Sequence, residues 1–366
     1  MPPAATVSQT PRGSLQRALA LALSGLLLAA GCTRVAPSAS AFSETDRLSC
    51  RQVVPASGAT LQWTGSSRAR DAEGLARWCQ TVGPVVFRSA AARERPPTDR
   101  LAILSWNVHV GSGNVAEVVR RLRAGEFTGG EPFDDYVLLL QEAYRRDGVP
   151  ALIPRGLPAP SRIAARMGRG PDIDRLADAG GLSLFYVPSM RNGIVSIEAE
   201  DRGNAILSTL ALRDPHVIEL PLERQRRAAA VAAVEGRTHA GAPWQLRLAN
   251  VHLDTALALT SGGPFAARRR QADALVDGLS KRAAIPTVVA GDFNTWRGPS
   301  EPALGVLREA FPQTPPMPNL PTWSGPLGIH AQLDYAFVRG VTPVQVHRLP
   351  GRFGSDHYPL LMIVRF

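Results

Sequence analysis

Lysine is almost missing from this 366-residue chain: Lys281 stands alone, and every other one of the 41 basic residues is arginine. That skew, beside abundant alanine, glycine and proline, has the look of GC-rich coding. The formal charge of +10 therefore does not by itself announce a polyanionic partner. Arginine still binds phosphate through a bidentate fork, so the bias keeps its chemical use. Cysteine is scarce, three residues in all, and none falls among the clustered carboxylates and histidines. That disfavours a soft-metal site of the zinc type. No serine stands in a nucleophile elbow and no glycine-rich phosphate loop occurs, so acyl-serine and P-loop chemistry drop out. Beyond residue 31 no long apolar run remains to span a membrane. Charged residues at 20% and hydrophobic residues at 45% exclude a disordered chain and fit one large domain with accessory segments.

The N-terminus carries the first specific signal. Arg12 and Arg17 precede residues 18–30, which are apolar apart from Ser24 and Gly25. The run is too short to cross a bilayer and ends at Gly31-Cys32, so residues 1–31 read as an export signal. Small residues before a cysteine resemble the bacterial lipoprotein lipobox, with Ala29 standing where leucine is commonest. That likeness implies lipidation of Cys32 and membrane attachment by the lipid alone, in an envelope membrane facing the periplasm or the exterior. The other reading is ordinary cleavage. Cleavage before Cys32 removes two arginines and lowers the charge from +10 to +8. Residues 32–45 are small and polar, a flexible tether. Residues 46–98 form a small extension holding Cys50 and Cys79, which in an exported chain pair as a disulfide worth about 3–4 kcal/mol in the chain-entropy model.

The main domain is expected over residues 99–366. Strands are expected at 101–106, 135–140, 182–187, 205–212, 228–234, 245–252, 287–290, 334–338 and 359–366, with helices at 115–122 and 265–279. Alternation of strands and helices implies a layered α/β domain. A Pro/Gly/Arg-rich stretch at 145–181 holds Arg145, Arg146, Arg155, Arg162, Arg166, Arg169 and Arg175. It reads either as a loop reaching over the site to grip a polyanion or as solvated surface. Arg268, Arg269 and Arg270 read as a solvated helical face.

Polar residues gather just after the strands. Asn107 and His109 follow the first strand, Gln141 and Glu142 the second. His252 and Asp254 close another, Asp292 and Asn294 the next. Asp334 opens a strand, and Ser355, Asp356 and His357 precede the last. Singly these are turn formers, caps or structural histidines. Repeated across many strands they mark a ligand site, because open α/β sheets bind at one end of their strands. Carboxylate and amide oxygens are hard ligands that suit Mg²⁺ or Mn²⁺, histidine moves protons near neutrality, and attack by water is the remaining economical route.

Seven ordered segments carry a resemblance: SWNVHVG (105–111), LLLQEA (138–143), GNAILS (203–208), NVHLD (250–254), GDFN (291–294), LDYAFV (333–338) and SDHYP (355–359). The chain resembles the endonuclease/exonuclease/phosphatase superfamily with the deoxyribonuclease-I-like fold. That implies a four-layered α/β sandwich, two mixed β-sheets packed face to face with helices outside. It also implies Glu142 as the main Mg²⁺ ligand, with Asn107 and Asp356 beside it. Asp292 and Asn294 would position water and a phosphate oxygen. His357, oriented by Asp334, would act as base or counter phosphoryl charge, and His252 would contact phosphate or assist the leaving group. Asp201 lies near the strand position where the family often has a tyrosine or an acid. The function expected first is a Mg²⁺-dependent phosphodiesterase, a nuclease acting on nucleic acid. A sphingomyelinase-like or inositol-phosphate phosphoesterase is the enzymatic alternative, with no obvious exposed aromatic hairpin to support the lipid version. A non-catalytic binding lipoprotein on the same scaffold is the third. No feature points to a protein partner.

Overall fold

Strands apolar at every position need cover on both faces, and the fold supplies it. The structure, a computed structural model, describes residues 50–366 apart from 52, 55–60, 90–95, 147, 150–169, 193–199 and 256–261. The export signal, Cys32 and the tether lie outside the described residues, as do Arg155, Arg162, Arg166 and Arg169. In chain order the elements begin with β1 (Val53–Val54), β2 (Gln62–Thr64), α1 (Ala72–Cys79), β3 (Val85–Arg88), β4 (Arg100–Asn107), α2 (Val115–Arg123) and β5 (Tyr136–Arg145). Next come α3 (Ile173–Gly180), β6 (Ser183–Asn192), β7 (Glu200–Ser208), β8 (Arg213–Glu219), β9 (Ala228–Arg237), β10 (Pro243–His252) and α4 (Gly263–Ser280). The chain closes with β11 (Thr287–Asp292), α5 (Pro302–Ala310), β12 (Trp323–Ser324), β13 (His330–Ala331), β14 (Asp334–Arg339), β15 (Thr342–Arg348) and β16 (Leu360–Arg365).

One sheet has the order β1-β3-β6-β7-β5-β4-β16-β15 and the other β14-β11-β10-β9-β8-β2, with β12 and β13 forming a separate hairpin. Both sheets are mixed: β4 pairs with β5 and β10 with β11 in parallel, whereas β5 with β7 and β9 with β10 run antiparallel. Alternate residues of each central strand enter different cores. Leu101, Ile103, Val137 and Leu139 meet Ala230, Leu246, Leu248 and Val288 between the sheets. Their neighbours Ala102, Leu104, Leu138 and Leu140 face outward onto Val115, Val118, Leu122 and Ile173 of α2 and α3. On the far side, Ala249, Val251 and Val289 lie under Leu275, Leu279 and Leu304 of α4 and α5. Helix, sheet, sheet, helix: this is the expected four-layered α/β sandwich. Helix α2 begins where Asn114 caps it, its side chain accepting from Glu117 N at 3.1 Å.

The described part of residues 46–98 belongs to both sheets. β1 pairs with β3 at the edge of one, and β2 pairs with β8 at the edge of the other, so hydrogen bonds cross the boundary drawn at residue 99. Cys50 and Cys79 are joined, with Cα atoms 4.9 Å apart. Buried Asp71 accepts from Leu222 N, and Arg68 reaches Glu223 at 2.7 Å, fastening this stretch to the loop before β9.

Two expectations about arginines are corrected. Arg145 does not lie on a loop over the site. It ends β5, is 2% exposed, and pairs with the buried Asp201 at 2.5 Å. Residues 173–180 of the same stretch are helix α3, not loop. Arg268 is not solvated either, since it is buried on Glu301, whereas its neighbour Arg269 is exposed. In each case the guanidinium meets a carboxylate far along the chain, which offsets the cost of burying it.

The sheets are tied by amides as well as by apolar packing. Where β5 and β7 lose register between Leu140 and Ala143, Asn250 Nδ2 of the opposite sheet donates to Leu140 O and Ala205 O, both at 2.8 Å. Gln141 Nε2 returns a bond to Asn250 Oδ1 at 2.7 Å. Asn250→Ala removes three buried hydrogen bonds and leaves two carbonyls and an amide without this partner. The expected loss is about 2–4 kcal/mol in urea unfolding. A change below about 0.5 kcal/mol would show that apolar packing alone holds the sheets.

Candidate active site

The polar strand ends converge at one shared edge of the two sheets. Asn107 lies opposite Gln141, the residue before Glu142. In the second sheet His252 lies beside Asp292, and Asp292 beside Asp334. A hydrogen bond from Asn107 Nδ2 to Asp292 Oδ2 at 3.0 Å bridges the sheets. His109, Val110, Glu142 and Asn294 all have positive φ, a conformation that costs about 1–3 kcal/mol each unless the surroundings enforce it. Local bonds do so at two of them: Asn107 Oδ1 accepts from His109 N at 3.0 Å, and Asp292 Oδ1 from Asn294 N at 2.9 Å. Asn294 Nδ2 donates to Leu253 O at 3.0 Å. At Gly291 a Cβ would lie 1.8 Å from Val251 O, which is why glycine precedes Asp292.

The loop carrying Asp356 and His357 is latched onto β4. Ser355 Oγ donates to Asn107 O at 2.7 Å and accepts from His357 N at 3.0 Å, while Trp106 Nε1 donates to His357 O. Thr322 Oγ1 accepts from the backbone N–H groups of Leu333 and Asp334. The sequence reading assigned no role to Ser355, Trp106 or Thr322. Ser355, inside the SDHYP segment, and Trp106, inside SWNVHVG, had a signal to notice; Thr322 had none.

Electrostatics separates three of the buried ionisable groups at the centre. Burial opposes a charge on His357, yet Asp334 and Asp292 outweigh it and carry the imidazole up to about 10. Its Nδ1 donates to Asp334 Oδ2 at 2.8 Å, and its Nε2 lies 3.7 Å from Asp292 Oδ2. Burial raises Asp292, and Asp334 adds to that; His357 and the amides of Asn107 and Asn294 act against it, leaving the carboxyl at about 7. His252, 3.4 Å from Asp292, is held neutral: burial, then the charges of Arg227, Arg202 and His357, push it well below its ordinary value.

Glu142, Asn107 and Asp356 offer hard oxygens. The hydrogen bond from His109 to Asp356 (2.8 Å) raises the His109 pKa against its burial, and the Glu142 charge adds to this. An imidazole whose protonated form is favoured thus faces the two carboxylates expected to hold the metal. Burial would raise Asp356, but His109, His357 and Trp323 outweigh it and hold the carboxyl at about 2, ionised and ready to ligate. Among the described residues no three His, Cys, Asp or Glu converge as a metal-binding group. The expected set contains only two such residues and an amide, so the donor chemistry fits a hard cation with several waters and not a closed soft-metal site.

Further cations sit here that the sequence reading passed over. Arg202 Nη1 reaches Glu142 Oε2 at 3.2 Å. Arg227 is buried at the start of β9, within reach of the charges of Asp254, Glu142 and Asp292. Its signal was an arginine placed directly before the apolar run of β9. Asp254 holds that loop, accepting from Arg224 N and Gln225 N at 2.8 and 2.9 Å. Asp201 points elsewhere, to Arg145, Gly83 N and Tyr186.

The Endonuclease/Exonuclease/phosphatase family matches residues 104–357, the interval from β4 to His357. No curated protein gives a match. An endonuclease/exonuclease/phosphatase from Beutenbergia cavernae DSM 12333 is similar over 73% of this chain and 72% of its own, at 18% identity and a TM-score of 0.51. This likeness shows the fold. A family protein from Leptotrichia buccalis C-1013-b is 12% identical over 73% of this chain and 100% of its own, with a TM-score of 0.48. The human Nocturnin catalytic domain is 18% identical over 74% and 100%, with a TM-score of 0.44.

The His357–Asp334 pair makes a direct expectation. The folded-state pKa of His357 lies above its unfolded value, so the pair's contribution to stability is complete below about pH 6.5 and fades as pH rises through about 10. In EDTA-treated protein, NMR of the His357 ring should titrate near 10, and Asp334→Asn should lower that value by roughly two units. An unchanged titration in the variant would mean that Asp334 does not set the charge.

Proposed function

The chain belongs to the Endonuclease/Exonuclease/phosphatase family, and from that premise we propose that it is a divalent-metal-dependent phosphodiesterase acting on nucleic acid. The observation that carries the chemistry is Asp292, a carboxyl 1% exposed and raised to about 7, hydrogen-bonded by Asn107 and Asn294 and flanked by a charged and a neutral histidine. A carboxylate tuned toward neutrality is a competent base for water.

In this reading Asp292 takes the proton of the attacking water as the water oxygen bonds to phosphorus. The phosphorus bond to the leaving oxygen breaks, and that oxygen takes a proton from solvent. His357, charged across the neutral range, is not the base. It faces Asp292 through Nε2 and counters the charge that grows on the phosphoryl oxygens. Neutral His252 can donate an N–H to phosphate but is no source of a proton for the leaving group. Mg²⁺, or Mn²⁺ in its place, held by Glu142, Asn107 and Asp356 would supply Lewis-acid polarisation of a phosphoryl oxygen. Arg202 and Arg227 add positive charge behind Glu142.

A second reading, a lipid phosphoesterase of the sphingomyelinase type, draws on an observation the sequence concealed. The β12–β13 hairpin beside Asp356 exposes Leu327 (76%) and Ile329 (38%). A non-catalytic binding protein is disfavoured, because Asn107, His252, Asp292, Asn294, Asp334, Asp356 and His357 are linked by hydrogen bonds and close ion pairs, with Glu142 beside them on Arg202. The proposal extends to place: an exported enzyme tethered through lipidated Cys32 in a bacterial envelope membrane.

Purified protein with Mg²⁺ should cleave plasmid DNA or RNA and lose that activity in EDTA. Asp292→Ala should lower the rate about 10²–10⁴-fold. Turnover of sphingomyelin without nucleic acid cleavage would replace the substrate assignment, and full activity in EDTA would end the metal mechanism. For the tether, Cys32→Ala should abolish labelling by radioactive palmitate and release the protein from membranes on fractionation. Unchanged membrane association would overturn the lipid anchor.

A further inference from the structure

Beside the catalytic centre runs a chain of aromatic rings and guanidinium groups that the hydrolytic chemistry does not use. It starts at Trp323, whose Nε1 donates to Asp356 Oδ2 at 2.9 Å and whose backbone bridges to His357. Trp296 stands edge-to-face against Trp323, ring centres 5.0 Å apart, and is 46% exposed. It lies two residues beyond Asn294, so its position is set by the catalytic strand β11. The next residue, Arg297, lies 5.4 Å over the Phe265 ring, itself 36% exposed. Arg297 has no ion-pair partner among the described residues. Beyond Ser324, Tyr358 carries Arg348 over its ring at 4.1 Å.

Two of these rings carry a guanidinium, Phe265 beneath Arg297 and Tyr358 beneath Arg348, and the most exposed of them, Trp296, stands against Trp323 with its remaining face open to a ligand. Rings interleaved with guanidinium groups match a strand whose flat bases alternate with phosphates. A duplex hides its base faces inside the stack, and lipid tails present no flat face to match. Trp323 joins this rim to Asp356, so a phosphodiester at the metal-binding carboxylates would leave its neighbouring base at Trp296.

We propose that this rim is a stacking subsite for unpaired nucleic acid, with Trp296 as the platform for the base adjoining the scissile phosphate and Arg297 and Arg348 as phosphate contacts. The proposal rests on the nuclease reading and names its substrate: single strands, unpaired ends or flipped bases.

Binding without turnover tests it. Anisotropy of a labelled oligothymidylate of about eight nucleotides is read in EDTA, against an abasic oligomer with the same phosphates and against phosphatidylglycerol vesicles. Wild-type protein should bind the base-bearing strand about tenfold more tightly than the abasic one, Trp296→Ala should erase the difference, and Trp296→Phe should restore most of it. The Trp296→Ala variant should also raise KM on the strand with kcat little changed. An equal preference for bases in wild type and Trp296→Ala, or no preference in wild type, overturns the subsite. Vesicle binding lost in Trp296→Ala without any oligonucleotide binding would assign the rim to a lipid surface. Nuclease activity is measured separately, so its absence would end the function reading while the binding data still judge the rim.

Discussion

Two sheets packed face to face through apolar side chains can slide, because such contacts have no direction, yet the groups of the candidate site are divided between them. Asn107, Glu142 and Asp356 come from one sheet and its loops, and His252, Asp292 and Asp334 from the other. The constraint on which the site depends is therefore the directional link between sheets. Asn250 fills the place where β5 bulges away from β7, and Gln141 answers it. The bulge that needs those bonds is the same one that turns Glu142 into a positive-φ conformation at the site. Fold and candidate site share one irregularity, and the amide that repairs the ladder also fixes the carboxylate proposed to hold the metal relative to Asp292.

With that register set, the charges follow from desolvation. Asp292, Asp334 and His357 are each nearly inaccessible, and two carboxyls with one imidazolium form a group in which protonation of one member governs the next. One oxygen of Asp334 binds His357, while Asp334 Oδ1 is buried without a hydrogen bond. Such an orphan is costly in a stable core. Here the other oxygen, bonded to His357 Nδ1, offsets part of that cost by favouring the protonated imidazole. The neutral His252 and the raised Asp292 are products of the same dry surroundings, not of separate local devices.

Much of this was legible from residues alone, for identifiable reasons. Strands such as β4 and β5 read clearly because both faces are buried and the run is continuously apolar. The polar residues at their ends read clearly because each interrupts such a run. Strands β3, β8 and β15 escaped notice. β3 is only four residues long, and β8 begins with Arg213 and Asp214. β15 is an edge strand whose pairing with β16 shifts register. Side chains that act through partners distant in sequence were the least legible. Asp201 lies 56 residues from Arg145, and Glu301 lies 33 from Arg268. A composition can count such arginines but cannot assign them.

That distinction decides what the positive charge means. Arg145, Arg226 and Arg268 are buried against Asp201, Glu219 and Glu301, so three of the cations that a net-charge argument would offer to a polyanion are spent inside the protein. Breaking such a pair costs about 3–5 kcal/mol, so these arginines are held by the fold whatever bias put them in the sequence. Coding bias explains why the residue is arginine and not lysine. It does not explain why the arginines near Asp356 lie over rings instead of against carboxylates. Arg297 on Phe265 and Arg348 on Tyr358 keep their charge at the surface, each beside a flat apolar face. Charge alone is therefore a poor guide to the substrate. Charge paired with an exposed ring at the mouth of the proposed site is the more discriminating feature, because it suits a ligand that is both anionic and planar.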